Sequence, residues 1–178
     1  CAFERKGYPP GVHGQRRGKL SEAGAQLREK QKVRRVYGML EKQFRTLFES
    51  SARRRGVTSE IFFRDLELRL DNVVYRMGFA RSRNEARQVV RHNHILVNGK
   101  RTNIPSARLG VGDEVTVAAK SQTKTQFSLS AELQQKAGGM PWFEVDHTKY
   151  AGKITAAPTR DDIQLPVKER LIVELYSK

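Results

Sequence analysis

Arginines recur every four residues at Arg83, Arg87 and Arg91, directly after Ser82 and just ahead of His92. A guanidinium is a planar fork of N–H donors that can bond two phosphate oxygens at once or stack on a base, so such a row suits a polyanion. On a helix this spacing places all three on one exposed face, where like charges repel unless an anion lies across them. Seven residues past Arg91, Asn98-Gly99-Lys100-Arg101 joins two more cations to a turn signal. Other candidates for chemistry are sparse. His92 and His94 have no third His, Cys or suitably spaced carboxylate to complete a metal site or a general-base pair, so a capping or anion-contacting role suits them better. Cys1 and His13 supply two ligands where a structural zinc site takes four. Asp161-Asp162 fits loop and turn chemistry better than an acid–base pair. Neither a Walker-type glycine loop nor a Gly-x-Ser-x-Gly turn occurs. The expectation is binding without catalysis, and no cofactor.

The elements that must position these residues follow from local pattern. Ser82-Arg83-Asn84-Glu85 is a Ser-x-x-Glu capping box, which predicts a helix start with Ala86, Val89 and Val90 buried. Asn98-Gly99, flanked by Ile95-Leu96-Val97 and Lys100-Arg101-Thr102, predicts a type I′ hairpin, and a further strand is expected over 111–117. Upstream, helices are predicted over about 25–37 with Gly38 as a stop, over 41–55 with Gly56 as a stop, from Thr58 onward, and from Leu70 to Gly78. Ahead of them, Tyr8-Pro9-Pro10-Gly11 through Lys19 predicts an extended basic arm. Downstream, a helix is predicted over about 129–137, ended by Gly138-Gly139. Strands are predicted at Trp142-Phe143-Glu144-Val145 and at Leu171-Ile172-Val173-Glu174-Leu175-Tyr176, with Trp142 and Tyr150 as core aromatics.

Composition narrows the partner. With 34 Lys plus Arg against 19 Asp plus Glu in 178 residues, the chain carries +15 and seeks a polyanion. The excess is uneven: residues 1–56 carry +10, residues 57–120 carry +4 and residues 121–178 carry +1. The binding face is therefore expected toward the N-terminal end, with a near-neutral tail that packs. No apolar run approaches the length of a membrane span, and the N-terminus does not read as a secretory signal. A single cysteine offers no disulfide framework and agrees with a reducing, cytosolic compartment.

The string Arg69-Leu70-Asp71-Asn72-Val73-Val74-Tyr75-Arg76-Met77-Gly78-Phe79, with Ser82-Arg83 and Val97-Asn98-Gly99, closely resembles the S4 family of bacterial small-subunit ribosomal proteins. Arg28-Glu29-Lys30-Gln31-Lys32-Val33-Arg34-Arg35-Val36-Tyr37-Gly38, Gln43-Phe44-Arg45, the arm motif His13-Gly14-Gln15 and the ending Leu171 to Lys178 are similar too. The resemblance implies an α+β fold: an N-terminal helical domain, an inserted S4 RNA-binding domain of helices on a small, mostly antiparallel sheet, and C-terminal strands. The implied divisions are a basic arm and helical domain over 1–67, the S4 domain over 68–130, and a C-terminal helix and strands over 131–178 packing back on the first domain.

The resemblance further implies binding to the helix junction of the 5′ domain of 16S ribosomal RNA during ribosome assembly. Ribosomal protein S5 and other small-subunit proteins would be neighbours, with a bearing on translational accuracy and on messenger RNA. It implies a segment ahead of Cys1, whose cysteines in some members make Cys1 the last ligand of a zinc site. The residues assigned to RNA are Arg16, Arg17 and Lys19 in the arm, and Lys30, Lys32, Arg34, Arg35 and Arg45 in the first helices, where crowding leaves some merely solvated. They continue with Arg81, Ser82, Arg83, Asn84, Arg87, Arg91 and His92 around the capped helix, and Asn98, Lys100 and Arg101 at the hairpin. An RNA-modifying enzyme or synthetase carrying an S4 module, and a small stress-related RNA binder, are the alternatives. The first needs a catalytic domain, and the long N-terminal similarity argues against the second.

Overall fold

A computed structural model gives the architecture; it describes all residues except Cys1, 16–18, Leu20, Lys124, Gln126, Ala131, 133–138, Gln164 and Lys178. After a short α1 (Ala2–Arg5), Ser21 caps α2 (Glu22–Val36): its hydroxyl accepts from the Gly24 N–H at 3.2 Å. Gly38 ends that helix at φ 61, a left-handed conformation that costs glycine little. Next come α3 (Glu41–Ala52) and α4 (Thr58–Glu67). Phe44 and Phe48, one turn apart on α3, meet Phe62 of α4 edge-on at centroid distances of 5.0 and 5.4 Å. This is the centre of the first of two cores.

The second core is built from α5 (Leu70–Arg76) and α6 (Arg83–Arg91) on a five-stranded antiparallel sheet. Its strands are β1 (Ile95–Val97), β2 (Lys100–Arg101), β3 (Glu114–Val117), β4 (Phe143–Asp146) and β5 (Ala151–Ile154), in the order β2-β1-β3-β5-β4. A short α7 (Ala119–Gln122) follows β3. Gly152 on β5 lies so close to Met77 at the end of α5 that a Cβ there would fall 2.6 Å from the methionine sulfur. Glycine is what permits the sheet to press onto the helix pair.

The mixed α+β class is as expected, with two differences downstream of residue 131. The strands there join the sheet of the second core through the β3–β5 pairing instead of returning to the first. Trp142, 2 % exposed, and Phe143 bury their rings in that second core, alongside Ile95, Val115 and Val117 of β1 and β3, and this burial favours the pairing. The second difference is Leu171–Tyr176, predicted as a strand, which lies in α8 (Glu169–Tyr176). Helical spacing puts Ile172 and Tyr176 on one face against Phe48 and α2, and lets Arg170 pair with Glu174 at 2.7 Å. Ile163, Leu165 and Val167 also pack on the first core ahead of it, so the C-terminal end does return there, but as an irregular stretch and a helix. The helix predicted over 129–137 lies largely outside the described residues; residues 127–130 are helical. Among the described residues, no helix is long and apolar enough to cross a membrane.

Candidate nucleic-acid interface

The capped helix α6 forms as the sequence dictates, with one shift in its cap. Ser82 Oγ accepts from the Glu85 N–H at 3.2 Å, but the Glu85 carboxylate reaches back to the Arg81 N–H at 2.8 Å, one residue earlier than a reciprocal box requires. It also pairs with the Arg81 guanidinium at 3.3 Å. Ala86, Val89 and Val90 are buried as expected.

The arginine row does not share one exposed face. Four residues of α-helix turn through about 400°, so each step drifts by about 40° and the row rotates by about 80° between Arg83 and Arg91. Arg83 is half-buried: its Nε donates to Asn72 Oδ1 at 2.9 Å and its guanidinium lies over the rings of Tyr37 (5.1 Å) and Tyr75 (4.6 Å). Arg87, also half-buried, donates to Asp71 Oδ2 at 3.3 Å, a carboxylate already held by Arg69 at 2.8 Å. Arg91 alone of the three is exposed with no acidic partner among the described residues. It borders a shallow depression of ≈ 470 Å³ lined by Asn84, Arg87, Gln88, Arg91 and His92.

Arg83 belongs to a polar knot between the two cores. The Glu67 carboxylate, 1 % exposed, accepts from Tyr37 Oη (2.6 Å), Asn72 Nδ2 (2.7 Å) and Arg76 (2.8 and 3.0 Å). Burial by itself would raise the Glu67 carboxyl, but the Arg76 hydrogen bonds and charge, with those of Tyr37 and Asn72, hold it below the ordinary glutamate value. Burial and the neighbouring carboxylate push the Tyr37 phenol well above its ordinary value. Tyr37 and Glu67 come from the first helices, Asn72, Arg76 and Arg83 from the second pair, so the knot fixes one against the other. This role was not anticipated; the signal was Glu67, Asn72 and Arg76 interleaved with the apolar residues Leu66, Leu68, Leu70, Val73 and Val74.

At the hairpin, Asn98 (φ 49) and Gly99 (φ 76) adopt the expected turn. The Asn98 side chain is consumed internally: Nδ2 donates to Asp113 at 2.8 Å and Oδ1 accepts from the Glu114 N–H at 2.9 Å. Its polar atoms thus shape the tip. Lys100 and Arg101 are exposed without an acidic partner among the described residues.

The first helices divide similarly. Lys30, expected at the RNA, is buried and bonded to Glu41 at 2.6 Å, because its position on α2 faces α3. Lys32 is held by Glu29 (2.7 Å) and the Pro166 carbonyl (3.1 Å), Arg34 lies between Gln31 and Glu41, and exposed Arg45 pairs with Glu49 at 2.9 Å. Arg35 and Lys19 are exposed and without such partners among the described residues. Arg16 and Arg17 lie outside the described residues, as does Cys1. Among the described residues, no group of three or more His, Cys, Asp or Glu could hold a metal ion. Asp162 accepts from the Thr159 N–H and hydroxyl, both at 2.7 Å, a turn role as expected.

Comparison with known proteins adds an independent line. Residues 1–67 match a family model described as "Ribosomal protein S4/S9 N-terminal domain", and residues 68–115 match one described as "S4 domain". The curated relative "Small ribosomal subunit protein uS4" of Syntrophobacter fumaroxidans is 53 % identical over 178 residues, spanning 100 % of this chain and 86 % of that protein. Identically named proteins of Geobacter metallireducens and Caldicellulosiruptor saccharolyticus are each 54 % identical, with the same coverage.

Proposed function

Since the chain belongs to the uS4 family of small-subunit ribosomal proteins, we propose that it is a structural constituent of the small ribosomal subunit that binds 16S ribosomal RNA without catalysing a reaction. The RNA it takes is the helix junction of the 5′ domain, engaged early in subunit assembly, with ribosomal protein S5 and the incoming messenger as neighbours in the assembled particle. Its place is the ribosome of the cytoplasm.

The observation that carries this reading is the sorting of the cations. Those that knit the cores are spent on carboxylates and rings, while Arg91, Lys100, Arg101, Arg35 and Lys19 stand exposed without acidic partners among the described residues. A body of fixed angle carrying separated positive groups offsets phosphate repulsion where several RNA helices meet, and recognises their relative positions by shape. Affinity for a 5′-domain fragment against an unrelated duplex of equal length, each across a salt series, tests it. Tighter binding to the fragment that persists as salt rises is expected; equal, steeply salt-sensitive binding to both would overturn it.

A further inference from the structure

The sheet of the second core ends on one side at the hairpin strand β2 and on the other at β4, four strand spacings or about 19 Å away. The β4 edge is open. The Thr155 N–H donates to the Trp142 carbonyl at 3.0 Å, and the register places Glu144 opposite Lys153 and Asp146 opposite Ala151. Bonded and non-bonded positions alternate along an antiparallel pair, so Phe143 and Val145 turn their N–H and C=O groups away from β5. Among the described residues, nothing donates to or accepts from those outward groups. Such an unpaired row is a template for one more strand.

The side chains say which strand. Phe143 is buried and Val145 half-buried on the core face, while Glu144 stands exposed on the other. On that outer face the register lines up Glu114, Lys153 and Glu144 across β3, β5 and β4, all three exposed. The sign alternates along this ladder, and Glu144 has a cation on one side only, so the next place beyond it calls for a second cation. Asp146 is otherwise engaged: its Oδ1 accepts from the Thr148 and Lys149 N–H groups at 2.9 and 3.2 Å in the turn to β5. A second copy of this chain fits poorly. Pairing β4 with itself in the fullest register sets Glu144 against Glu144, and the next register sets it against Asp146, like charges directly opposed in both.

We propose that β4 is a docking edge for an extended segment of a protein partner in which cationic residues alternate with β-branched ones. The segment adds a sixth strand to the sheet, hydrogen-bonded to Phe143 and Val145 and carrying a lysine or arginine opposite Glu144. This edge is separate from the cations assigned to RNA and does not depend on that reading.

An end-capped peptide of four lysines alternating with four valines is the probe, titrated into the full chain while backbone amide resonances and hydrogen exchange are followed. Slowed exchange at the Phe143 and Val145 N–H groups is the expected result. Glu144→Lys changes an exposed side chain and should melt within a few degrees of wild type. It should weaken the lysine–valine peptide about fivefold, and a glutamate–valine peptide should show the reverse preference between the two proteins. Exchange unchanged at both amides with the lysine–valine peptide, or the same order of affinity for both peptides in both proteins, would overturn the proposal. Protection of these amides in the chain alone as its concentration rises would assign the edge to a second copy instead. A response to RNA fragments but not to the peptide would equally remove the protein partner.

Discussion

Arg83 and Arg91 show how the same residue type in the same repeat takes opposite duties. Eight positions and an 80° rotation apart, one is inserted between Tyr37 and Tyr75 and the other faces solvent. Arg83→Ala should cost about 2 kcal/mol of stability, since both ring interactions vanish and Asn72 Oδ1 loses its donor. Urea unfolding reads that loss. Arg91→Ala should leave unfolding within about 0.5 kcal/mol of wild type. It should instead reduce the salt slope of RNA binding by about 1. The reverse pattern would reverse the two roles. The sequence made this row conspicuous, and the binding chemistry of arginine was legible in it. What could not be read was which arginines the neighbours would claim, because Asn72, Asp71 and the two tyrosines reach them only through tertiary packing.

At the scale of elements, local signals were strong where a single residue type does a single job. The Ser82 cap, the Asn98-Gly99 turn and the stops at Gly38 and Gly78 all appear where composition put them. The tail was misread because Leu171-Ile172-Val173 is rich in β-branched residues, while the arrangement that buries Ile172 and stacks Tyr176 on Phe48 at 4.7 Å exists only once α2 and α3 are in place. Sheet order was equally hidden, since β5 reaches β3 across an intervening stretch that no local pattern links to it. The close approach of Gly152 to Met77 carries the element-level prediction. Gly152→Ala should destabilise by about 1–3 kcal/mol through overpacking of α5 against the sheet. A stability equal to wild type in urea would mean that the sheet can retreat without cost.

Across the whole molecule, two cores are joined by the Glu67 knot, and its electrostatics give the joint a pH signature. The Glu67 carboxyl is depressed in the folded chain, so its contribution is present above the ordinary glutamate range and is lost as pH falls through the depressed native value. Stability should therefore decline with acid below about pH 5, and Glu67→Gln should flatten that decline while lowering stability at neutral pH. An unchanged acid slope in urea midpoints would remove Glu67 from the account. The charge distribution has the same whole-molecule logic: Arg91 on α6, Lys100 and Arg101 at the hairpin tip and Arg35 on α2 are exposed without acidic partners among the described residues, against exposed Glu144 and Asp146 on the outer strand of the sheet.

That polarity is open to a direct measurement. With Cys1 replaced by serine, single cysteines at Gln88→Cys on α6 and Glu144→Cys on β4 can each carry a tethered iron chelate, and hydroxyl-radical cleavage of bound 5′-domain RNA is then mapped. Strong, localised cuts from position 88 and little cleavage from position 144 are the predicted result. Cleavage of equal strength from both, or stronger cleavage from position 144, would contradict the placement of the RNA on the α6 and hairpin side.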